Sequence, residues 1–335
     1  MKISWKKSTM ILFSAFLLAS CGAQGEKKTT GGEGASGDSE KTEKTYKIGV
    51  TQYVEHPSLD AAFEGFKKAI EESGLKVEYD TQNAQADNSL NTTIANNLVS
   101  SNVDLIFANA TPSAQAVASA TKDIPIIFTS VTDPVGAELI TSMDQPGANV
   151  TGTIDTHPEA IPNTLKFMKE QLNIKKIGMV FNSGEQNSRA QVDIVKKLAE
   201  EQGLKIEEAP VATSADVKQA TESLVGKVDG YYIITDNTVV SALESVISVA
   251  NDNKLPVMVG EFDSVKRGGL GAYGFEYFDI GYEAGQMAVK ILKDGKKPSE
   301  LPAQPPQNLK LVINKKAAEA AGIEIKDEWG AEFSE

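Results

Sequence analysis

The chain contains 335 residues, of which 33 are basic and 46 are acidic, so its formal net charge at neutral pH is −13. An excess of acidic residues argues against nucleic acid as a partner, because phosphate backbones are bound by basic surfaces. The single cysteine excludes an intramolecular disulfide, so the stability of the folded chain has to come from buried apolar surface.

The first 20 residues have the pattern of a secretory signal peptide. Three lysines precede the apolar run Met10–Ala19, which is too short to span a bilayer. The sequence LASC at residues 18–21 matches the lipobox of bacterial lipoproteins. We therefore predict a signal peptide over residues 1–20 and a diacylglycerol and palmitate modification of Cys21. This lipid would anchor the exported chain to the outer face of the cell membrane, at a bacterial cell surface or in a periplasm.

Residues 21–45 have the composition of a flexible tether. The segment 22–45 contains six glycines and no leucine, isoleucine, valine or aromatic residue, so it cannot bury enough apolar surface to fold. A Gly-rich coil of this length reaches roughly 25 to 30 Å. The signal peptide carries three lysines and no acidic residue, so its removal leaves 30 basic and 46 acidic residues.

From Tyr46 onward, short β-branched runs alternate with helical patterns. The runs at residues 46–53, 76–82, 103–109 and 124–131 predict strands, and amphipathic segments lie between them. Alternation of strand and helix indicates βαβ units on a parallel sheet.

The second half of the chain repeats the first. KIGV at residue 47 is matched by KIGM at residue 176, and EESGLKVE at residue 71 by EEQGLKIE at residue 200. Both pairs are 129 residues apart, and two further strand pairs have offsets of 125 and 131 residues. A near-constant offset indicates duplication. We therefore predict an α/β fold of two similar doubly wound parallel-sheet lobes.

The lobe boundaries follow from this repeat. We predict an N-lobe from residues 46–157 and part of 278–325, a C-lobe over 158–277 and a tail over 326–335. The helix pattern at 279–295 and the strand pattern at 309–315 are expected to return across the hinge.

Polar residues cluster where the predicted strands end. Ligands of open α/β sheets bind beyond the carboxyl ends of the strands, so these positions predict a binding cleft. Thr129 and Ser130 lie in one such stretch, FTSVTDPVGA at residues 128–137, which is also typical of a simple turn. Thr111, before Pro112, has the pattern of a helix start, which can serve either as a plain cap or as a carboxylate site.

Asp155 and Asp236 each end an apolar strand pattern, where an uncompensated buried charge would be costly. A ligand ammonium would compensate either carboxylate, and capping of the next helix is the structural alternative. Four aromatic residues near the strand ends can sandwich an apolar or aromatic ligand, although strand packing explains some of them equally well: Tyr53, Phe181, Tyr273 and Phe275.

Five longer segments carry a resemblance to a known family. These are ATPSAQAVASATKDIPIIFTSVTDPVGAELI, GANVTGTID, NSGEQNSRAQV, TDNTVVSA and LVINKKAAEAAGI. They resemble the extracellular solute-binding lipoproteins of ABC importers, in the group that includes tryptophan-binding and tyrosine-binding proteins. The resemblance implies a type I periplasmic-binding-protein fold with a multi-strand hinge, and partnership with a permease and a separate ATPase.

The resemblance also implies a site for a small amino acid, most simply an aromatic one, between the lobes of a monomer. We expect the ammonium of this ligand to meet Asp155 or Asp236, and its ring to lie among Tyr53, Phe181 and Tyr273. Its carboxylate is expected to meet helix N-termini and the hydroxyls near Thr111, Ser113, Thr129 and Ser130. The full set of expected ligand-binding residues is Tyr53, Thr111, Ser113, Thr129, Ser130, Asp155, Asn182, Ser183, Asn187, Ser188, Asp236, Asn237 and Thr238.

Other functions remain open on sequence grounds. His56 and His157 are the only histidines, and both precede prolines in loop-like positions, so an enzyme or a metal site is not favoured. We expect no cofactor, because no P-loop or G-x-G-x-x-G follows a strand, and the G-x-S-x-G elbow of hydrolases is likewise missing. The alternatives are a branched-chain amino acid, nucleoside or sugar as ligand, or a role as a surface adhesin.

Overall fold

The computed structural model describes residues 44–334. The predicted signal peptide, the lipidation site Cys21 and nearly all of the predicted tether lie outside the described residues. Between residues 44 and 334, no helix combines the length and the apolar character that a bilayer span requires.

The first sheet has five parallel strands in the order β2-β1-β3-β4-β5. Its strands are β1 (Thr45–Gln52), β2 (Lys76–Asn83), β3 (Leu105–Asn109), β4 (Ile126–Val131) and β5 (Val150–Ile154). Three helices alternate with them: α1 (Pro57–Glu72), α2 (Asn88–Ser100) and α3 (Thr111–Ala120).

The second sheet has seven strands in the order β12-β11-β10-β9-β8-β6-β7, and only the β10–β11 pair is antiparallel. Its strands are β6 (Lys176–Asn182), β7 (Lys205–Val211), β8 (Gly230–Ile233), β9 (Val257–Val259), β10 (Gly271–Gly274), β11 (Lys310–Asn314) and β12 (Glu332–Ser334). The remaining helices are α4 (Ala160–Glu170), α5 (Gln186–Gln202), α6 (Val217–Leu224), α7 (Asn237–Ser241), α8 (Leu243–Asp252), α9 (Phe262–Lys266), α10 (Tyr277–Leu292) and α11 (Lys315–Ala320).

The predicted duplication is visible in the strand order. The series β2-β1-β3-β4-β5 of the first sheet is repeated as β7-β6-β8-β9-β10 in the second. Strands β3 and β4 are buried along their whole length, as expected for parallel strands that helices cover on both faces. The expectation of two doubly wound α/β lobes is therefore confirmed.

Apolar clusters cover both faces of each sheet. In the first lobe, side chains of α2 and α3 cover one face of the sheet, and those of α1 and α10 cover the other. In the second lobe, α4 and α5 cover one face, while α6 and α8 cover the opposite face. Each lobe thus has a core of its own, which leaves the carboxyl ends of the strands free for a shared site.

The chain crosses between the lobes three times. It leaves the first sheet after β5, returns after β10 so that α10 packs against α1, and crosses again between Gln304 and β11. The strand at 309–315, expected to return across the hinge with the helix, pairs instead with β10 in the second sheet. The segment 326–335, predicted as a tail, contains β12, which pairs with β11.

Two glycines allow α1 and α10 to pack closely. A methyl group on Gly65 would overlap the carbonyl oxygen of Phe278, and one on Gly281 would overlap the carbonyl oxygen of Ala62. The missing side chains let the two helix backbones touch, which holds the returning helix on the first lobe.

We expect Gly281→Ala to lower the free energy of unfolding by about 1–3 kcal/mol or more, because the added methyl group has no space between the helices. Urea denaturation measures this change. Lys290→Ala, at an exposed position of the same helix, is the control and should leave stability within about 0.5 kcal/mol. Equal stability of the two variants would contradict the packing argument.

Candidate functional site

The carboxyl ends of the two sheets face one another across the hinge. Helix α3 lies against α5, and α1 lies against α9, so helices from both lobes meet. A cavity of about 700 Å³ opens beside this junction. Its walls come from both lobes and from the three chain crossings, which makes it the candidate binding site.

Asp155, directly after β5, lies on the wall of this cavity and is 7% exposed. Its Oδ1 accepts a hydrogen bond from Thr132 Oγ1 at 3.0 Å, and its Oδ2 accepts one from the Tyr277 hydroxyl at 2.8 Å. Burial raises the pKa of Asp155, while both hydroxyl donors oppose this rise. The carboxylate is therefore desolvated and only partly compensated.

Gln191 on α5 links the two lobes at the cavity wall. Its Nε2 donates to Thr132 Oγ1 of the first lobe at 3.2 Å and to Thr235 Oγ1 of the second lobe at 2.7 Å. All three side chains line the cavity, so this amide fixes the distance between the lobes where the cavity is formed.

Two further carboxylates, Asp236 and Glu185, are buried close to each other in the second lobe and are 0% and 2% exposed. Asp236 caps α7 by accepting from Val239 N at 2.7 Å, and it also accepts from Asn182 N and Ser188 Oγ, each at 2.6 Å. Burial, followed by the nearby charge of Glu185, raises the pKa of Asp236 to about 7.

Glu261 is the fourth carboxylate at the junction and is 2% exposed. It caps α9 by accepting from Ser264, and burial raises its pKa. His56 of the first lobe faces it across a small pocket, and burial lowers the pKa of this histidine to about 3. His56 is therefore a neutral group that contributes no positive charge near Glu261.

No lysine or arginine between residues 44 and 334 forms an ion pair with any of these four carboxylates. Buried carboxylates are normally paired with a cation or protonated. The junction therefore favours a positively charged ligand group. Within the same range, no group of three or more His, Cys, Asp or Glu residues is arranged to hold a metal ion.

Two hydroxyls of the first lobe are buried at the strand ends without a hydrogen-bond partner, namely Thr111 Oγ1 and Ser130 Oγ. The β4–β5 register shifts between Phe128 and Val131, and Ser130 has a φ of 56°. This irregularity separates Ser130 from the regular strand, and such strain is common at binding sites.

The expected ligand-binding residues lie in different parts of the structure, and only some of them line a pocket. Asp155 lines the large cavity, and Asn237 lines the small pocket with Asp155 and His56. Asn182, Asn187, Ser188, Asp236, Asn237 and Thr238 form one hydrogen-bonded group around Glu185 and Asp236. Tyr53, Thr111, Ser113 and Ser130 are buried in the first lobe.

Three of the residues named from the sequence do not line the large cavity. Thr129 Oγ1 is 2.8 Å from Thr153 Oγ1, which donates to Ile280 O inside the first lobe. Ser183 is exposed, and its carbonyl accepts from Arg189. The ring of Phe181 lies in the core of the second lobe, whereas Tyr273 lines the cavity as expected.

Sequence reasoning missed Gln191, Thr235 and Tyr277, which complete the cavity wall and the contacts of Asp155. Gln191 ends the polar stretch NSGEQNSRAQ, one turn after the residues named from the sequence, and Tyr277 begins another helix, so no local pattern marks either residue as part of the site. Only the folded chain brings them beside the strand ends.

Residues 47–333 match the family described as ABC transporter substrate binding protein. The chain belongs to this family. The tyrosine-binding protein of Clostridioides difficile (strain R20291) is 43% identical over 300 residues, which cover 88% of this chain and 86% of that protein. The family comprises solute-binding components of transporters, which act outside the cytoplasm, and is not a class of enzymes. The lobes have the type I periplasmic-binding-protein fold.

Two solved structures reveal the arrangement of the lobes. The ABC domain from Streptococcus pneumonia in complex with L-Trp is 35% identical, covers 87% of this chain and 100% of its own, and has a TM-score of 0.83. A ligand-free, open substrate-binding protein with adhesive properties from Clostridium difficile is 41% identical, with coverages of 87% and 99%, yet its TM-score is 0.65. The structure described here is therefore more similar to the L-Trp complex than to the open, ligand-free protein, and Gln191 and Thr132 are in contact across its two lobes, an arrangement that we call closed.

We expect the pH dependence of the free energy of unfolding to reveal the titration of Asp236. A carboxyl group whose pKa is raised from 3.8 to about 7 holds a proton that the unfolded chain has lost, so stability falls as pH rises between these values. This contribution amounts to roughly 1–4 kcal/mol. Asp236→Asn loses a hydrogen bond at every pH but should flatten this dependence, measured by urea denaturation from pH 4.5 to 8.

Ser188→Ala provides the opposite test. It removes a hydrogen bond that favours the ionised form of Asp236, so it should steepen the fall of stability with pH. Parallel pH profiles for the wild type and both variants would show that Asp236 does not titrate in this range.

Proposed function

We propose that this protein binds an aromatic amino acid, L-tyrosine or L-tryptophan, in the closed cavity and delivers it to the permease and ATPase subunits of an importer. The observation that carries the proposal is Asp155, a buried carboxylate on the cavity wall with no cationic partner among the described residues. Aromatic side chains line the same cavity, and the named ligands of the two relatives agree with this chemistry.

The ligand ammonium would lie against Asp155. An ammonium has three donors, and the carboxylate of Asp155 keeps acceptor capacity beyond the hydroxyls of Thr132 and Tyr277. The positive charge would also offset the field of Glu185 and Asp236 in the second lobe. A charge-assisted hydrogen bond at a buried site is stronger than one between neutral groups.

The ligand carboxylate would lie at the end of the first sheet. Thr111 Oγ1 and Ser130 Oγ are the unpaired donors there, and Thr111 begins the ten-residue helix α3. The free backbone N–H groups of a helix start add partial positive charge, so a carboxylate can be held without arginine. Asp155 and the start of α3 would thus attract the opposite ends of a zwitterion.

The side chain of the ligand would extend into the cavity beside the rings of Tyr232, Tyr273 and Phe275. Aromatic rings in contact prefer offset or edge-to-face arrangements, and such pairs add about 0.5–1.5 kcal/mol beyond the burial of area.

We also propose that the protein is held at the membrane by a lipid on Cys21 and acts as a monomer. The lipobox sequence LASC supports the lipid anchor. The cavity is complete within one chain, because residues from both lobes of the same molecule form its walls.

We expect Asp155→Asn to weaken binding of the amino acid by about 10- to 100-fold, because a hydrogen bond to a charged group contributes about 1.5–3 kcal/mol. Both donors to Asp155 are hydroxyls that can rotate, so the variant should still fold. Calorimetry on residues 44–335 measures the affinity, after a thermal-shift screen of amino acids, nucleosides and sugars.

Asp144→Asn is the matched control, since it removes a negative charge at an exposed position of the same cavity and should change affinity less than threefold. The analogue of the ligand that lacks the amino group should bind weakly to wild type and to Asp155→Asn alike. Unchanged affinity of Asp155→Asn for the amino acid would refute the assignment of the ammonium. Stabilisation by a nucleoside or sugar alone would refute the ligand class.

A further inference from the structure

We infer that the cavity has an apolar outer compartment, beyond the amino-acid site, that accepts an uncharged aromatic or aliphatic substituent on the far end of the ligand side chain. The outer compartment is formed by Val135, Met143, Ile161, Ile194 and Leu198. The inference rests on the proposed function, because it takes the head group of the ligand to be held at Asp155.

The volume of the cavity exceeds what one aromatic amino acid fills. Benzene occupies a protein cavity of about 150 Å³. Tyrosine has about twice, and tryptophan about two and a half times, as many non-hydrogen atoms as benzene, so on this scale either amino acid fills about half of the roughly 700 Å³. The remaining volume is continuous with the site because the same cavity contains Asp155 and the outer residues.

Helix α5 shows the direction in which the cavity extends. Gln191, Ile194 and Leu198 line the cavity from successive turns of this helix, three and four residues apart, and so lie on one face. At 1.5 Å per residue, Leu198 lies about 10 Å along the helix axis from Gln191. The wall thus changes from polar at the lobe junction to apolar farther from it.

The far end of the outer compartment is open to solvent. Val135 and Ile194 line it from opposite lobes, and they are 46% and 45% exposed. Large exposed apolar side chains are ordinary when isolated, but here two of them border a binding cavity. A long substituent can therefore project between them while the lobes stay closed around the head group.

The charge near the rim selects among possible substituents. Asp133 and Asp144 line the cavity beside Val135 and Met143, and among residues 44–334 no lysine or arginine lines it. An anionic substituent, including the terminal carboxylate of a dipeptide, would be repelled by these aspartates. It would also lose its hydration without gaining a hydrogen-bond donor from the protein. An uncharged ring or alkyl group loses no such hydration, and it is the occupant that we assign to the outer compartment.

The test compares a parent amino acid with a ring-extended derivative on the soluble protein. If L-tyrosine binds, the derivative is O-benzyl-L-tyrosine, and if only L-tryptophan binds, it is 5-benzyloxy-L-tryptophan. We expect calorimetry to show the derivative binding within threefold of the parent, or more tightly. A matching derivative with a carboxylate on the added ring should bind at least tenfold more weakly than the uncharged one.

Ile194→Trp should fill the outer compartment. It should weaken binding of the derivative at least tenfold and change binding of the parent less than threefold. Val135→Trp on the other lobe should have the same effects. Lys197→Trp, at an exposed position of the same helix outside the cavity, should change neither affinity and is the control. Both tested positions are exposed, so the larger side chain does not disturb a core.

The outcomes separate this inference from the proposed function. Binding of the parent together with at least 100-fold weaker binding of the uncharged derivative would overturn the outer compartment and leave the proposed function intact. Equal weakening of parent and derivative by Ile194→Trp would also overturn it. Failure of every aromatic amino acid to bind would overturn the proposed function itself, and the inference with it.

Discussion

Four buried carboxylates without a paired lysine or arginine in the described residues are the constraint on which the site depends. Asp155, Glu185, Asp236 and Glu261 all lie where the strand ends of the two lobes meet. Removing a carboxylate from water is expensive, and the hydrogen bonds around these groups recover only part of the cost. The raised pKa values of Asp155, Asp236 and Glu261 show that this cost is only partly recovered when the lobes are closed. Closure is therefore favoured by any group that brings positive charge to the junction.

The fold explains why the carboxylates are placed there. Parallel strands direct all their carboxyl ends to one edge, and each following helix presents unpaired N–H groups at the same edge. Asp236 and Glu261 serve as caps for α7 and α9, and a positive ligand charge nearby would favour the ionised form of both carboxyl groups. Capping and ligand attraction, which the sequence presents as alternatives, are thus compatible. Asp155 differs because it accepts from the hydroxyls of Thr132 and Tyr277, and it alone of the four lines the large cavity.

The sequence determines the architecture better than the site. A repeat with near-constant offset predicts two lobes because matched strands have to occupy matched places in their sheets, as β1 and β6 do. The direction of a side chain is harder to predict, since the neighbouring residues Thr129 and Ser130 differ in whether their hydroxyls are hydrogen-bonded. Thr129 stays in the regular strand and bonds Thr153, while an irregularity in the β4–β5 pairing frees Ser130. Likewise, no local pattern reveals that β11 pairs with β10, because that pairing follows from the third crossing.

The most direct test of the account is the radius of gyration, measured by small-angle X-ray scattering at pH 7.5. If closure needs a ligand ammonium, the ligand-free protein is open and its radius of gyration falls when the bound aromatic amino acid is added. The analogue without the amino group should cause no fall, even at a concentration that saturates any weak binding. A ligand-free protein already as compact as the complex would contradict the account, since the buried carboxylates would then need no cation from the ligand.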